Sequence, residues 1–201
     1  MPARTLVLAS GSLARLRLLR DAGIDPVVTP SGVDEDDIDP DDTRGSTLRL
    51  AVAKAEAVAR TGGDALVLGC DSMLEFDGRP YGKPESLDEA RAWLATMRGR
   101  DGVLFTGHCL IDEAAGTRAE AVVGTTVRFG VTTDAELDAY LATPGVLDVA
   151  GAFTLDGRSA PFVDGIVGDP GNVIGLSLPA LRSLLGDLGV SVTDLWREDH
   201  R

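Results

Sequence analysis

The chain has 201 residues, of which 44% are hydrophobic and 25% charged, with a formal net charge of -13. This composition is that of an ordinary globular protein, and the length fits one domain or two small lobes. The negative charge argues against non-specific binding to nucleic acids or to anionic membranes. An aromatic content of 4% also leaves few side chains for base stacking. Because the first residues lack a signal-peptide pattern and no apolar run reaches transmembrane length, we expect a cytoplasmic protein.

The first elements are a strand and a helix joined by a short polar turn. Residues 5–9 form an apolar run that predicts a buried strand, and residues 13–22 predict a helix ended by Gly23. The turn between them, Ser10-Gly11-Ser12, could bring hydroxyl and backbone N–H groups to a phosphate. The alternative is a simple turn in which Ser12 is only the helix N-cap.

Only two residues are lysine, although lysine and arginine together number 19. Lys54 lies in the stretch 48–60, which predicts a buried helix with Ser46 as its N-cap. A lysine there is either a surface residue or a charge directed at a ligand. Lys83 precedes Pro84, which excludes helical geometry and places it on a loop. The capping box Ser86-x-x-Glu89 then opens a helix, and helix entrances favour anions.

A second apolar run predicts a buried strand that ends on a carboxylate. This run covers residues 66–71, and strand ends are where α/β proteins gather their functional sites. Asp71 is therefore a candidate functional residue, with a structural capping role as the alternative. Residues 73–76, the turn Asp77-Gly78 and residues 79–81 then predict a β-hairpin.

Two longer strands are predicted over residues 103–111 and 119–131, joined by a turn near Gly116. The two cysteines, Cys70 and Cys109, lie in apolar strand-like runs. We therefore expect two buried reduced thiols and no disulfide framework.

The last third of the chain predicts helices separated by an irregular region. A capping box, Thr133-x-x-Glu136, opens a helix that extends to about residue 142. Residues 145–172 are glycine-rich and irregular and predict short elements only. Pro179 marks the first position of a last helix that extends to about residue 188. The mixture of buried strands, intervening helices and long antiparallel strands predicts an α/β protein with a mixed sheet.

The charged residues suggest chemistry on phosphate groups. A divalent metal bound by carboxylates, with cations holding phosphates, is the usual arrangement for phosphoryl or nucleotidyl transfer. Glu35 lies in the acidic stretch 34–42, which we otherwise expect to be solvated. The two histidines, His108 and His200, do not pair with a nucleophile, so Ser-His-Asp and Cys-His mechanisms are not expected. The candidate ligands and cations are Glu35, Asp71, Arg15, Lys54 and Lys83.

A series of short motifs runs in order along almost the whole chain. They are Leu8-Ala9-Ser10-Gly11-Ser12-x-x-Arg15-x-x-Leu18-Leu19, Val33-Asp34-Glu35, Leu50-Ala51-x-x-Lys54-Ala55, Gly69-x-Asp71-Ser72, Gly82-Lys83-Pro84, Thr106-Gly107, Thr126-Val127-x-Phe129, Ala150-Gly151-x-Phe153, Phe162-Val163, Ile166-x-Gly168 and Val173-Ile174-Gly175-Leu176. In these motifs the chain resembles the Maf family of nucleoside triphosphate pyrophosphatases.

This resemblance implies an elongated α/β fold like that of the inosine triphosphatases, with a mixed sheet flanked by helices. Residues 1–201 would form one Maf-like domain, with two lobes around a central cleft as the variant of that arrangement. The implied activity converts a nucleoside triphosphate to the monophosphate and diphosphate with Mg²⁺ or Mn²⁺. The resemblance also suggests a homodimer. The alternative function is a non-catalytic nucleotide-binding regulator of cell division, because the family is also known for inhibition of septum formation.

The same resemblance assigns roles to individual residues. Asp71 corresponds to the proton acceptor and, with Glu35, to a metal ligand. Alanine at either lysine is expected to lower kcat/KM severely while the fold is retained. The implied substrate-binding residues are Ser10, Ser12, Arg15, Lys54, Ser72, Lys83 and Asp156.

The chain departs from the pattern of the members selective for dTTP and UTP. Ala14 replaces an arginine, Ser72 a threonine, Val149 a lysine and Asp156 a glutamine. An acidic residue at the last position resembles the branch that acts on 7-methyl-GTP, and a carboxylate can accept hydrogen bonds from guanine N–H groups. However, that branch carries a tryptophan where this chain has Ala14. The preferred base therefore stays open, and Asp156 could instead be a turn residue before Gly157.

Overall fold

The computed structural model describes residues 4–35 and 38–196, which form an α/β structure with a seven-stranded mixed sheet flanked by helices. The strands are β1 (Leu6–Leu8), β2 (Val27–Val28), β3 (Leu66–Phe76), β4 (Arg79–Tyr81), β5 (Asp101–Asp112), β6 (Thr117–Phe129) and β7 (Val163–Val167). The helices are α1 (Leu13–Asp21), α2 (Thr43–Val58), α3 (Leu87–Met97), α4 (Asp134–Leu141), α5 (Pro170–Ile174) and α6 (Leu178–Asp187). The predicted fold class is confirmed.

The sheet has the strand order β2-β1-β3-β5-β6-β7, with β4 attached to β3. Strand β1 pairs in parallel with both β2 and β3, whereas β5, β6 and β7 continue the sheet by antiparallel pairing. Helices α1 and α2 connect the three parallel strands, as parallel pairing requires. A short turn joins β5 to β6, whereas α3 lies between β4 and β5, and α4 lies between β6 and β7.

Helices cover both faces of the sheet. Because successive residues of β3 point to opposite sides, this strand contributes side chains to the core on each face. Leu66 and Leu68 belong to a core cluster on the face covered by α1 and α6. Val67 packs with Ala51 and Ala55 of α2 on the other face. A third cluster, which includes Leu74, lies farther along the sheet beside α3 and α4. The division of the chain into one domain or two lobes stays a prediction.

Several local predictions are confirmed. The hairpin β3–β4 turns through Asp77 and Gly78, whose φ angles of 51° and 71° are those of a type I′ turn. Ser12 caps α1, and Thr133 forms the predicted capping box of α4. Both cysteines are buried and free. No helix in the described ranges is long and apolar enough to cross a membrane.

Three predicted boundaries are wrong. Helix α2 begins one turn earlier than expected, because the Asp42 carboxylate caps it by accepting a hydrogen bond from the Gly45 N–H. The predicted cap, Ser46, is instead buried inside the helix. Strand β3 does not end at Asp71 but continues to Phe76, because β5 pairs with it along this whole length. Pro179 occupies the second position of α6, after Leu178.

The helix start after Lys83 is confirmed only in part. Ser86 caps α3 by accepting a hydrogen bond from the Glu89 N–H at 3.2 Å. The Glu89 carboxylate, however, accepts from the backbone N–H of Glu85 at 2.7 Å, one residue before the cap. The reciprocal half of the predicted capping box is therefore displaced by one residue.

Candidate functional site

The candidate site lies at a gap along one edge of β3. Strand β1 pairs with Leu66–Leu68 and β4 pairs with Leu74–Phe76 on this strand. The intervening segment, residues 69–73, carries Asp71 and Ser72, and its other edge is paired to β5. Because neighbouring residues of a strand point to opposite faces, the side chains of Asp71 and Ser72 leave the sheet on opposite sides.

Helix α2 approaches the sheet closely over two glycines. A Cβ atom at Gly69 would lie 2.2 Å from the Ala51 carbonyl oxygen, and one at Gly107 would lie 2.3 Å from that of Thr47. Asp71 and Gly107 are paired residues of β3 and β5, so both glycines lie on the Asp71 face. The missing side chains allow α2 to bring Lys54 down to the Asp71 carboxylate.

Two lysines and two carboxylates form a continuous chain of ion pairs. The Lys54 ammonium donates to Asp71 Oδ1 and to Glu35 Oε1, each at 2.6 Å. The Lys83 ammonium donates to the second oxygen of Glu35, also at 2.6 Å. Lys54 and Asp71 are buried, whereas the Lys83 side chain is half exposed. We call these four residues the ion-pair chain.

The ion-pair chain keeps Glu35 ionised. Burial by itself would raise the pKa of this carboxyl, but the hydrogen bonds from Lys54 and Lys83 outweigh it and lower the pKa to about 2. Together with Arg15 the site holds three cations and two carboxylates, a local excess of one positive charge. This excess contrasts with the net charge of -13 for the whole chain.

Arg15 reaches the site from the opposite face of the sheet, on the first turn of α1. Its Nη1 donates to Ser10 Oγ at 3.0 Å and its Nη2 to Ser72 Oγ at 3.1 Å. Its Nε donates to the carbonyl oxygen of Gly175 at 2.8 Å. Ser10 also accepts from the backbone N–H of Ser12, so the polar turn after β1 is held against the arginine.

Two residues beside the site, Thr106 and Asn172, have no role in the sequence analysis but make contacts here. The Thr106 hydroxyl lies 3.0 Å from Ser72 Oγ and donates to the backbone carbonyl of Asn172 at 2.9 Å. Both residues are completely buried. Thr106 stands in one of the family-like motifs, but its register opposite Ser72 depends on the pairing of β3 with β5.

The Lys83 loop is fixed by a second contact with the irregular region. The Gly151 N–H donates to the Gly82 carbonyl oxygen at 2.9 Å. Gly151 and the following Ala152 both have positive φ angles, of 66° and 59°. The Tyr140 hydroxyl donates to the Ala152 carbonyl oxygen at 2.9 Å, which holds this unusual turn in place.

Asp156 is the predicted substrate-binding residue that the structure does not bring into contact with the others. It is exposed on a bend, where its carboxylate accepts a hydrogen bond from the Thr154 hydroxyl. No described hydrogen bond or ion pair joins it to the ion-pair chain or to Arg15. Both the base-reading role and the turn role are compatible with this position.

Two buried titratable groups near the site, Cys70 and His108, are held neutral. Burial raises the pKa of the Cys70 thiol to about 11. Burial, with the nearby charge of Arg15, lowers the pKa of His108 to about 4. His108 accepts a hydrogen bond from the Ser177 N–H at 3.0 Å, so it supports the start of α6 and pairs with no nucleophile. His200 lies outside the described residues.

The carboxylates of the site suit a hard divalent cation. Mg²⁺ is usually held by one or two carboxylates, with water and substrate phosphates completing its coordination. Glu35 and Asp71 supply two carboxylates close enough to share one ammonium. Among the described residues, no group of three or more His, Cys, Asp or Glu side chains could hold a metal ion. A cation between the two carboxylates would compete with Lys54 for them.

Comparison with known proteins gives consistent matches over nearly the whole chain. A family model described as Maf-like protein matches residues 5–188. A "Nucleoside triphosphate pyrophosphatase" of Streptomyces avermitilis and another of Streptomyces coelicolor are each 56% identical over 197 residues, covering 97% of this chain and 96% of their own. A protein of the same name from Nocardia farcinica is 52% identical over 209 residues, covering 98% of this chain and 99% of its own.

Proposed function

Because the chain belongs to the Maf-like protein family, we propose that it hydrolyses nucleoside triphosphates to the monophosphate and diphosphate. The observation that carries this proposal is the ion-pair chain beside Arg15, at the gap along β3. Such a site offers both cations for phosphates and carboxylates for a metal and a proton. The names of the similar proteins support the same activity.

The charges of the site suit a triphosphate. Arg15, Lys54 and Lys83 place positive charge on both sides of the gap, where an otherwise acidic protein would repel an anion. In phosphoryl transfer most of the catalysis comes from positioning and from stabilising the charge that develops on the leaving group. We assign the triphosphate to the space between Arg15 and the ion-pair chain, with Ser10 and Ser12 at its edge.

Asp71 is proposed as the proton acceptor. A water molecule attacks the α-phosphorus, a bond from water oxygen to phosphorus forms, and the bond to the bridging oxygen breaks so that diphosphate leaves. The proton released by the water passes to Asp71. The described hydrogen bond from Lys54 uses only Oδ1 of this carboxylate, which leaves Oδ2 for the proton.

Glu35 and Asp71 are proposed to hold Mg²⁺ or Mn²⁺. When bound, the metal would neutralise phosphate charge and favour ionisation of the attacking water. In that state Lys54 would share or give up its carboxylate contacts and donate to phosphate oxygens instead. The ammonium is close enough to both carboxylates to act as their counter-charge before substrate arrives.

The proposed base preference rests on Asp156. An exposed carboxylate within the irregular region can accept hydrogen bonds from guanine N1–H and its amino group. We expect the ratio of kcat/KM for GTP over dTTP to fall in Asp156→Ala. An unchanged ratio would leave Asp156 as a turn residue bonded to Thr154.

The experiment is a panel of canonical, methylated and deaminated nucleoside triphosphates with Mg²⁺ or Mn²⁺. Wild type should release diphosphate and not orthophosphate, and Asp71→Asn should abolish this release. Asp187→Asn, an exposed aspartate at the end of α6, is the matched control and should retain full activity. Binding of triphosphates without turnover would refute hydrolysis and favour the non-catalytic regulator of septum formation.

Two further properties are part of the proposal. We place the protein in the cytoplasm, because two buried free thiols suit a reducing compartment. We also propose a homodimer, which light scattering at several concentrations would test. A mass that stays at 21.0 kDa over that range would refute it.

A further inference from the structure

We propose that Thr106 is a positioning residue that fixes the Ser72 hydroxyl and the Arg15 guanidinium through one directed chain of hydrogen bonds. The inference rests on the proposed function, since Arg15 and Ser72 face a bound nucleotide only if that function is correct. Thr106 itself is completely buried and cannot touch a substrate. Its influence would pass entirely through its neighbours.

The direction of this chain of hydrogen bonds follows from counting the hydroxyl hydrogens. A threonine hydroxyl has one hydrogen, and Thr106 donates it to the Asn172 carbonyl oxygen, which can only accept. In the 3.0 Å contact between Thr106 and Ser72 the threonine oxygen must therefore be the acceptor. Ser72 donates its single hydrogen there and accepts from Arg15 Nη2.

This polarity determines what Ser72 can offer to a nucleotide. Its hydrogen is already used and one of its two lone pairs is taken by Arg15, so one lone pair remains. That lone pair suits an N–H of the base or an O–H of the ribose, whereas a phosphate oxygen carries no hydrogen to donate. Ser72 is thus assigned to the nucleoside part of the substrate.

The same chain restricts the guanidinium of Arg15. Three of its five N–H groups are committed to Ser10, Ser72 and the Gly175 carbonyl. The remaining two are held in one orientation and are available for phosphate oxygens. Without the Ser72 contact the guanidinium would keep only its other two anchors.

Asn172, at the far end of this chain of hydrogen bonds, is anchored in the middle of the sheet. The Asn172 side-chain amide donates to the Leu104 carbonyl at 3.0 Å and to Thr125 Oγ1 at 3.1 Å. These contacts fix Asn172 against β5 and β6, so its carbonyl offers Thr106 an acceptor at a constant place. A fixed acceptor is what makes the direction of the whole chain unambiguous.

The test compares three variants of buried threonines. Thr106→Val keeps the shape and removes the hydroxyl, whereas Thr106→Ser keeps the hydroxyl. Thr43→Val is the matched control, because Thr43 is also buried and its hydroxyl has no hydrogen-bond partner among the described residues. Circular dichroism and melting temperatures establish that each variant is folded. We measure kcat, KM and, by calorimetry, Kd for the α,β-methylene analogue of GTP, which the reaction cannot cleave.

Thr106→Val is expected to lower kcat/KM by about 10- to 100-fold, the usual effect of misplacing a group near the reacting atoms. Thr106→Ser should stay within about threefold of wild type, as should Thr43→Val. The decisive comparison is a cycle with Ser72→Ala. If Thr106 acts through Ser72, Thr106→Val should cost little more once Ser72 is alanine. An equal loss in both backgrounds, or no rescue by serine, would overturn the proposal.

The outcomes separate this inference from the proposed function. Turnover by wild type with no effect of Thr106→Val refutes only the positioning role. Binding of the analogue without turnover refutes hydrolysis, and the same cycle carried out on Kd then decides the role of Thr106. If wild type neither binds the analogue nor turns over any triphosphate, both proposals fail.

Discussion

Replacing Lys54 by methionine should lower the melting temperature much more than the same replacement of Lys83, the other lysine of the ion-pair chain. Lys54→Met leaves the carboxylate of Asp71, whose side chain is only 8% exposed, without the ammonium that neutralises it. Removing one partner of a buried ion pair typically costs about 3–5 kcal/mol. For a chain of this size each kcal/mol shifts the melting temperature by about 2–4 °C, so a fall of about 6–20 °C is expected.

Lys83→Met is the matched control, because the same change is made at a half-exposed partner of Glu35. The Lys83 side chain is 53% exposed, and Glu35 keeps its bond to Lys54. Exposed ion pairs contribute about 0–1 kcal/mol, so its melting temperature should fall by no more than about 4 °C. Both variants should lose activity, since each removes a cation from the proposed triphosphate site.

The assay is thermal unfolding followed by circular dichroism, with diphosphate release measured on the same samples below the transition. The double variant Lys54→Met/Asp71→Asn removes both buried charges and should regain most of the lost stability without regaining activity. The reasoning is refuted if Lys54→Met melts within about 2 °C of wild type. It is equally refuted if the double variant melts as low as the single one.

Four further predictions concern single residues, three of them outside the ion-pair chain. Gly107→Ala places a Cβ 2.3 Å from the Thr47 carbonyl oxygen, so denaturant unfolding should show a loss of about 1–3 kcal/mol and kcat should fall as α2 is displaced. Gly186→Ala, in open space on α6, should instead stabilise by about 0.5–1 kcal/mol. Since the pKa of Glu35 is lowered from 4.5 to about 2, its ionised form stabilises the fold above pH 4.5, and this contribution is lost as pH falls towards 2. The stability difference between wild type and Glu35→Gln should shrink over that interval, and a constant difference would contradict the ion-pair assignment. With a pKa of about 4, His108 should show no imidazole titration by NMR between about pH 6 and 8, and a midpoint near its usual 6.5 would exclude the buried neutral form.

Local sequence patterns predicted most elements, because the forces that start and end them act over a few residues. The Asp77-Gly78 turn and the Thr133 capping box are examples in which side chain and backbone interact within four positions. The prediction that Ser46 caps α2 was wrong, although capping is also an interaction within a few residues. Several acidic residues precede α2, and the sequence does not indicate that Asp42 is the one whose carboxylate reaches a free N–H.

The extent of β3 was wrong because strand length depends on a partner that is distant in sequence. An apolar run that stops at Asp71 looks like a strand end, yet β5 continues to pair with the polar residues beyond it. Asp71 is therefore placed in mid-strand. Its exposure to the site comes from the gap between β1 and β4.

The sequence by itself determined the fold class, the family resemblance and which ionisable residues to consider, because each depends on local periodicity or on motifs along the chain. Only the tertiary structure decided that Lys54 is buried between Asp71 and Glu35, since two glycines of different strands must lie under α2 for its ammonium to reach them. It also placed Thr106 opposite Ser72, which depends on the register of β3 and β5. Pairing between distant segments, which no local pattern specifies, turns separate motifs into one site.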